Sequence, residues 1–435
     1  MDAHYDRFFI GDNVYDAVAG REAFRDNLAG HFPRESGAID RYLELLAEVS
    51  RGMRTFALDR TLPPWAAAVA GPLLRRRLPR SFDRTTWEVL SELTSDPESI
   101  AVLTGQWGDM GLPPKRSSFV IQALIARHYL NGGYYPIGGA WRIADAILPR
   151  IRAAGGEVFT YARVEEILVR DGRARGVRMK DGHEIEARCV ISDAGAVNTF
   201  ARLLPATVAR EHGYDRLLPT VKPSIGHLYA YIGLQGTADE LGLPKTNYWI
   251  YPGNDYDAAL DRFVEDPSGP FPVVYVSFPS AKDPDFARRH PGRSTIEIVA
   301  PAPYGRFERW AGSTWGKRGE DYEALKLSLG ERLLEQLYRT APQLRGRIDY
   351  WELSTPLSMQ WFCGWERGEL YGLDHDPERM RQRWLRPRTR VPGLWLTGQD
   401  VMSCGVTGAM MGGLASATAI AGMRRMAPVL KQVFG

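Results

Sequence analysis

Cysteine is scarce in this 435-residue chain: Cys189, Cys363 and Cys404 are the only three, and they lie far apart. No CxxC or HExxH spacing occurs and the eight histidines are scattered. That argues against a disulfide framework or a metal cage and fits a reducing, cytoplasmic setting. Charge of one sign is lacking too. A net charge of +3 is too small at this length to point to a nucleic-acid partner, although arginine clusters at Arg75-Arg76-Arg77. The opening Met1-Asp2-Ala3-His4-Tyr5-Asp6 is acidic, and no apolar run follows it as a secretory signal requires. Nowhere does the chain contain GxGxxG, the phosphate-cradling turn of a dinucleotide-binding βαβ unit.

Long apolar runs are few. Leu62 to Leu74 is broken by Pro63, Pro64 and Pro72, and Arg75 to Arg77 follow it directly. It is too short to span a bilayer, which takes ~20 apolar residues. Two readings stay open: a segment lying at a membrane surface with its arginines at the headgroups, or a buried loop and short helix with a solvated basic end. Val401 to Met423 carries no charge but is dominated by Gly, Ala, Ser and Thr. Small side chains over a whole helix suit close approach to a cofactor or to other backbone. The GxxxG at Gly408 and Gly412 has a second, weaker reading as a membrane dimer face.

The remaining composition, 44% hydrophobic and 25% charged, is that of a soluble globular protein with room for two or three domains. Residues 1–130 read as mainly helical. Between Ala38 and Met53, Ile39, Tyr42, Leu43, Leu45, Leu46 and Val49 recur at spacings of three and four. Thr86 to Leu93 and Phe119 to Leu130 read similarly. Residues 131–204 begin with a break at Tyr134 to Gly139 and a helix over Trp141 to Ala154. Short β segments follow at Val158–Thr160, Val164–Val169, Ala174–Met179, His183–Ala187 and Cys189–Ser192, turning at Asp171-Gly172 and Asp181-Gly182. A helix over Val197 to Leu204 closes this part. Residues 205–385 read as an antiparallel sheet covered by helices, with strands at His227–Leu234, Asn247–Tyr251, Val273–Phe278, Thr295–Val299 and Ile348–Leu353 and a helix over Asp321–Thr340. Residues 386–435 hold one buried strand and the Gly/Ala helix.

That last part carries the strongest signal. Leu394-Trp395-Leu396-Thr397-Gly398-Gln399-Asp400 leads into Gly405-Val406-Thr407-Gly408. A strand delivers Gly-x-Asp to its carboxyl end, and a glycine-initiated helix starts a few residues later. Gly398 lets backbone come close, Asp400 can accept hydrogen bonds from hydroxyls, and the free N–H groups of the helix start offer partial positive charge. The bland reading is a buried strand–turn–helix packed against a sheet.

Further blocks occur in order: Tyr135-Pro136-Ile137-Gly138-Gly139, Gly155-Gly156-Glu157-Val158, Val164 to Val169, Gly176-Val177, Asp181-Gly182 and Val190 to Ala194. With them the chain resembles the FAD-linked phytoene desaturase and amine oxidase superfamily, and within it the all-trans-retinol 13,14-reductase (retinol saturase) group. Gly108-Asp109-Met110-Gly111-Leu112-Pro113-Pro114 and Tyr371-Gly372-Leu373 also look like that group. The resemblance covers nearly the whole chain. It implies an α/β fold with a Rossmann-like FAD/NAD(P)-binding domain in discontinuous segments, N-terminally incomplete, and an α+β substrate domain with a mixed or antiparallel sheet.

The resemblance also implies FAD as cofactor and NAD(P)H as electron donor. The backbone of Val164 would meet the adenine end, and Ala194 would line the nucleotide pocket. Gly398 and Asp400 would hold the ribityl–diphosphate portion. Beyond Gly405, the amides of Val406 and Thr407 would face the isoalloxazine. The sequence departs from the family at the missing GxGxxG, which belongs to a unit of ~30 residues or more. FAD bound by this chain alone would lack the main diphosphate cradle, so an upstream or separately encoded FAD-binding part is the expected partner. A flavin-free remnant or lipid-binding protein is the alternative.

The substrate implied is a hydrophobic small molecule, a retinoid- or carotenoid-like polyene, with reduction of one double bond as the reaction and desaturation or isomerisation as rivals. Trp351, Met359, Trp361, Phe362 and Trp365 are candidates to line its tunnel. His128, Tyr134, Tyr135 and Tyr371 are candidate acids, each more often structural, and none is assigned.

Overall fold

The computed structural model describes residues 1–434. Alternating side chains build twelve strands among the described residues, and helices cover them. β1 (His4–Ile10) and β2 (Asn13–Val18) form a hairpin, and β3 (Val164–Arg170), β4 (Arg173–Met179) and β5 (Glu184–Glu186) a meander. β6 (Val190–Ser192) pairs in parallel with β12 (Leu394–Leu396). β7 (Gly226–Gln235), β8 (Asn247–Tyr251), β9 (Val274–Ser277), β10 (Arg293–Ala302) and β11 (Ile348–Ser354) join the first hairpin in a seven-stranded sheet, order β11-β7-β10-β9-β8-β1-β2. β1 and β8 run parallel, with Asp6 opposite Asn247, and the other pairings in this sheet are antiparallel.

Each face of this sheet has its own cover. Leu228, Ala230, Ile232 and Leu234 of β7 point to the side covered by the helix Glu320–Thr340, whose Leu329, Leu333 and Leu337 are buried there. Burial of each such leucine contributes ~1.5–3 kcal/mol. The Trp351 ring lies so close that a Cβ on Gly330 would come within 2.2 Å of it. Phe8, Ile10, Trp249 and Tyr251 belong to a second core with the helices Ser36–Thr61, Pro97–Leu103 and Phe119–Tyr129. A third core joins the meander to Ala196, Phe200, Tyr214, Leu394, Leu396 and Val401, so segments far apart in sequence meet there.

Two expectations fail. Residues 4–18, at the head of the stretch read as mainly helical, form the β1–β2 hairpin. Asp6 hides its pattern, because it is buried against Gln106 and Asn247 instead of facing water. Val158-Phe159-Thr160 makes no strand: no neighbour pairs with it among the described residues, and Phe159 is 75% exposed. The helix expected over Trp141–Ala154 is present at Arg142–Ala153, yet none of its residues is buried. In Leu62 to Leu74 the short helix with a basic end is present, Pro64–Arg76, but it is not buried: Trp65, Val69 and Leu73 are exposed. No helix among the described residues is long and apolar enough to cross a membrane.

Candidate functional site

At the carboxyl ends of β6 and β12 two turns meet. Gly398 takes φ 81°, a left-handed conformation that favours glycine. A Cβ there would overlap Asp193, and a Cβ on Gly412 would lie 2.2 Å from the Gly398 carbonyl. The helix Gly405–Ala421 therefore rests directly on the turn after β12, which its run of small residues permits. Asp400 is 3% exposed. Its Oδ2 accepts the Ala196 N–H at 2.7 Å, while Oδ1 is left without a well-formed hydrogen bond, the Leu373 N–H being the other donor directed at the carboxylate. Burial raises the Asp400 carboxyl above the usual carboxylate range, and the nearby Arg379 guanidinium opposes the rise.

A short relay holds the loop before the helix. Arg379 donates to the carbonyls of Leu373 and Gln399 at 2.8 and 2.7 Å. His375 is fully buried beside it, and burial together with that guanidinium drives its imidazole well below its ordinary range. The neutral ring accepts the Cys404 N–H at 2.9 Å, and the Cys404 thiol donates to the Asp109 carbonyl at 3.4 Å. Burial pushes that thiol up to about 12, so it stays uncharged. The helix itself begins at Gly405 (φ 78°) with no side-chain cap, and Val406 is exposed.

This helix start opens on a cavity of about 1,110 Å³. Its walls are Met53, Ala57 and Leu58 of the helix Ser36–Thr61, Ile121, Leu124 and Ile125 of the helix Phe119–Tyr129, and Met402, Met411, Leu414 and Ala415 around the Gly/Ala helix. The polar groups lining it include Asp109, His128, Tyr129, Tyr371 and Cys404. Tyr371 is occupied, donating to the Gly108 carbonyl at 3.0 Å. Asp109 is not neutralised by a cation. Burial, with the charge of Asp6 adding to it, pushes its carboxyl up to about 7, and the Tyr129 hydroxyl directed at it opposes the rise.

The structure brings Ala194, Gly398 and Asp400 together and sets Gly405, Val406 and Thr407 on the cavity wall. Val164 sits apart from them at the start of β3, paired with Met179 on the meander. None of Trp351, Met359, Trp361, Phe362 and Trp365 lines the cavity. Trp351 packs on Gly330, Trp365 packs on Gly195, and Phe362 faces Trp315. Of the candidate acids His128 and Tyr371 line the cavity, whereas Tyr134 and Tyr135 do not. Asp109 and Tyr129 line it as well, and neither carries a sequence signal as an acid. Asp109 stands in a Gly-Asp-Met-Gly stretch, where an aspartate ordinarily signals a turn. Among the described residues no cluster could hold a metal ion.

The chain is 37% identical over 425 residues to the all-trans-retinol 13,14-reductase of Homo sapiens, covering 94% of this chain and 70% of that protein. The chain belongs to the all-trans-retinol 13,14-reductase family. Outside that family it is similar to a neurosporene-forming phytoene desaturase of Rhodobacter capsulatus, 30% identical over 296 residues that make up 65% of this chain and 52% of that protein. A solved structure of a putrescine oxidase triple variant superimposes with a TM-score of 0.56 over 98% of this chain and 82% of its own, at 14% identity. That likeness shows the fold, a mixed α/β architecture shared with oxidoreductases. No protein-family model matches the chain.

Proposed function

We propose that this chain is an FAD-dependent oxidoreductase that reduces one carbon–carbon double bond of a retinoid-like polyene. The cavity carries this reading. It is lined mainly by aliphatic and methionine side chains, and the uncapped helix start at Gly405, Val406 and Thr407 forms part of its wall.

The residues present fit a flavin nucleotide. Asp400, just ahead of the helix start, is the proposed acceptor for a hydroxyl of the ribityl chain, and Gly398 lets the turn close against Asp193 beneath it. The amides of Val406 and Thr407 offer N–H groups to the electron-rich edge of the isoalloxazine. Val164 and Ala194 are the proposed contacts toward the adenine end. Reduced FAD, replenished in this reading by NAD(P)H, supplies a hydride. The protein's own part is to exclude water with the apolar wall and to hold a proton. Asp109 is the proposed side chain for that: it lines the cavity, and its carboxyl, raised to about 7, remains partly protonated near neutral pH. The Tyr129 hydroxyl orients it.

The diphosphate cradle is proposed to come from a βαβ unit carrying GxGxxG, docked on the apolar face left open beside β6. The β6 residue Ile191 is exposed, as are Ile143 and Ile147 of the helix Arg142–Ala153 and Phe159. In this two-stranded parallel pair the far side of β12 is bridged by Arg388, so the outer edge of β6 is the seat for further parallel strands.

Incubation with FAD, desalting and an absorbance spectrum test the cofactor. Anaerobic reduction and product analysis with all-trans-retinol test the reaction, and a product with one double bond fewer is expected. Retained flavin with unchanged retinol would refute the proposed reaction, and a more unsaturated product from a saturated polyene would reverse its direction.

A further inference from the structure

Phe362, which stays out of the apolar cavity, is part of the wall of a second pocket. It lies between β11 and the helices Glu320–Thr340 and Pro356–Cys363 and has a volume of about 350 Å³. We propose that this pocket binds an anion that carries a flat ring, of the nucleoside monophosphate class. It shares no lining residue with the larger cavity, so its occupant is a separate matter from polyene reduction.

Arg318 supplies the charge. Only 9% exposed, it donates to the Leu357 carbonyl at 3.1 Å and lies 5.1 Å from the centre of the Tyr322 ring, and its Nε is left without a partner. No carboxylate pairs with it among the described residues. The acids next along the chain are held by other cations, Asp321 by Arg309 at 3.1 Å and Glu323 by Lys326 at 3.4 Å. A guanidinium withdrawn from water without a counter-ion is costly, and a bound anion offsets that cost. Its planar fork matches a phosphate or a carboxylate in shape. Lys326, whose ammonium stands 5.8 Å from the same Tyr322 ring, adds a second positive charge to the wall.

The other walls decide what the anion is attached to. Tyr231, Trp315 and Phe362 are all partly open to solvent, and the Trp315 and Phe362 rings meet edge to face at 5.4 Å. Aromatic surface beside a cation suits a flat ring, which a bare inorganic anion lacks. Glu352 stands opposite Tyr231 across the β7–β11 pair, one of its oxygens taking the Tyr350 hydroxyl at 3.0 Å. Its charge repels a ligand that is anionic throughout and favours one with hydroxyl or amino donors away from the anionic end. Ser358 accepts the Thr355 N–H at 3.2 Å and keeps its own hydroxyl proton to donate. A nucleoside monophosphate combines what these walls ask for: one anionic group, one flat ring and hydroxyls between them.

The test is isothermal titration of the full chain with adenosine monophosphate, adenosine and inorganic phosphate. The monophosphate is expected to bind with a Kd of ~1 mM or tighter, and each half alone at least ~tenfold more weakly. Arg318→Met should abolish binding. Phe362→Ala should weaken it ~tenfold by removing a stacking surface, with an unchanged melting temperature because Phe362 is 65% exposed. Arg318 also donates a hydrogen bond within the fold, so Lys326→Gln reads the charge separately, with an expected weakening of ~threefold. No binding at millimolar concentration would overturn the proposal, as would adenosine or phosphate binding as tightly as the monophosphate. Binding untouched by both Phe362→Ala and Lys326→Gln would overturn it too, and would place the nucleotide elsewhere, such as the proposed adenine contact at Val164.

Discussion

Asp400 Oδ2 accepts the backbone N–H of Ala196 at 2.7 Å, joining positions 204 residues apart. That bond joins the two turns beneath the proposed flavin site, and it leaves the carboxyl buried with no well-formed hydrogen bond to its other oxygen. The carboxyl is raised in the folded chain, so its stabilising contribution is present below the unfolded value and lost as pH rises through the folded one. Asp400→Asn keeps an acceptor for Ala196 and removes the charge. The cofactor-free variant should therefore unfold at a higher temperature than wild type at pH 8, while its FAD retention after desalting falls at least ~tenfold, the loss of one hydrogen bond to a charged acceptor. A variant that loses both stability and flavin would show that Asp400 serves the fold alone.

Neighbouring glycines of the small-residue helix should respond oppositely. Gly412→Ala drives a Cβ to 2.2 Å from the Gly398 carbonyl, which is backbone and cannot swing aside. A cost of ~1–3 kcal/mol is expected as the helix lifts off the turn. Gly413→Ala meets nothing within 4 Å and should gain up to ~1 kcal/mol from helix propensity. Urea unfolding of the two variants decides the point. Equal effects would mean that helix and turn are not in close contact.

Much of this was legible in the residues, and the exceptions have physical causes. The strand–Gly-x-Asp–helix block could be read because its chemistry is local: a turn needing positive φ, an acid and a glycine-started helix fall within fifteen residues. The cavity could not. Its walls are Met53, Ile121 and Leu124, whose helical spacing is that of any core residue, and only the fold decides that they face a space. The β1–β2 hairpin was hidden by Asp6, which satisfies both oxygens internally through Gln106 at 2.6 Å and Asn247 at 2.8 Å. The aromatic residues around Trp351 misled for the converse reason. Large rings mark burial, and here Trp351 packs against the helix Glu320–Thr340.

Asp109 gives the sharpest pH signature. Its carboxyl is raised to about 7, first by burial and then by the charge of Asp6 on β1. The groups facing it from the other elements are Tyr129, Tyr251, Tyr275, Tyr371 and Cys404, all raised in turn and uncharged at neutral pH. None of these groups is a cation able to hold Asp109 ionised. The native state therefore binds a proton that the unfolded chain releases near pH 4, and stability should fall as pH climbs from about 4 to about 7. Asp109→Asn should flatten that slope in a melting-temperature series on the cofactor-free chain. As a proton donor Asp109 must be protonated, so polyene reduction by the FAD-loaded protein should also decline above about pH 7, and Asp109→Asn should cost ~10²–10⁴-fold in rate. Tyr129→Phe removes a hydroxyl that favours the ionised form, so both midpoints should move to higher pH. A stability slope that survives in Asp109→Asn would place the titration elsewhere. A flattened slope with an unchanged rate profile would leave Asp109 as a buried acid that takes no part in proton transfer.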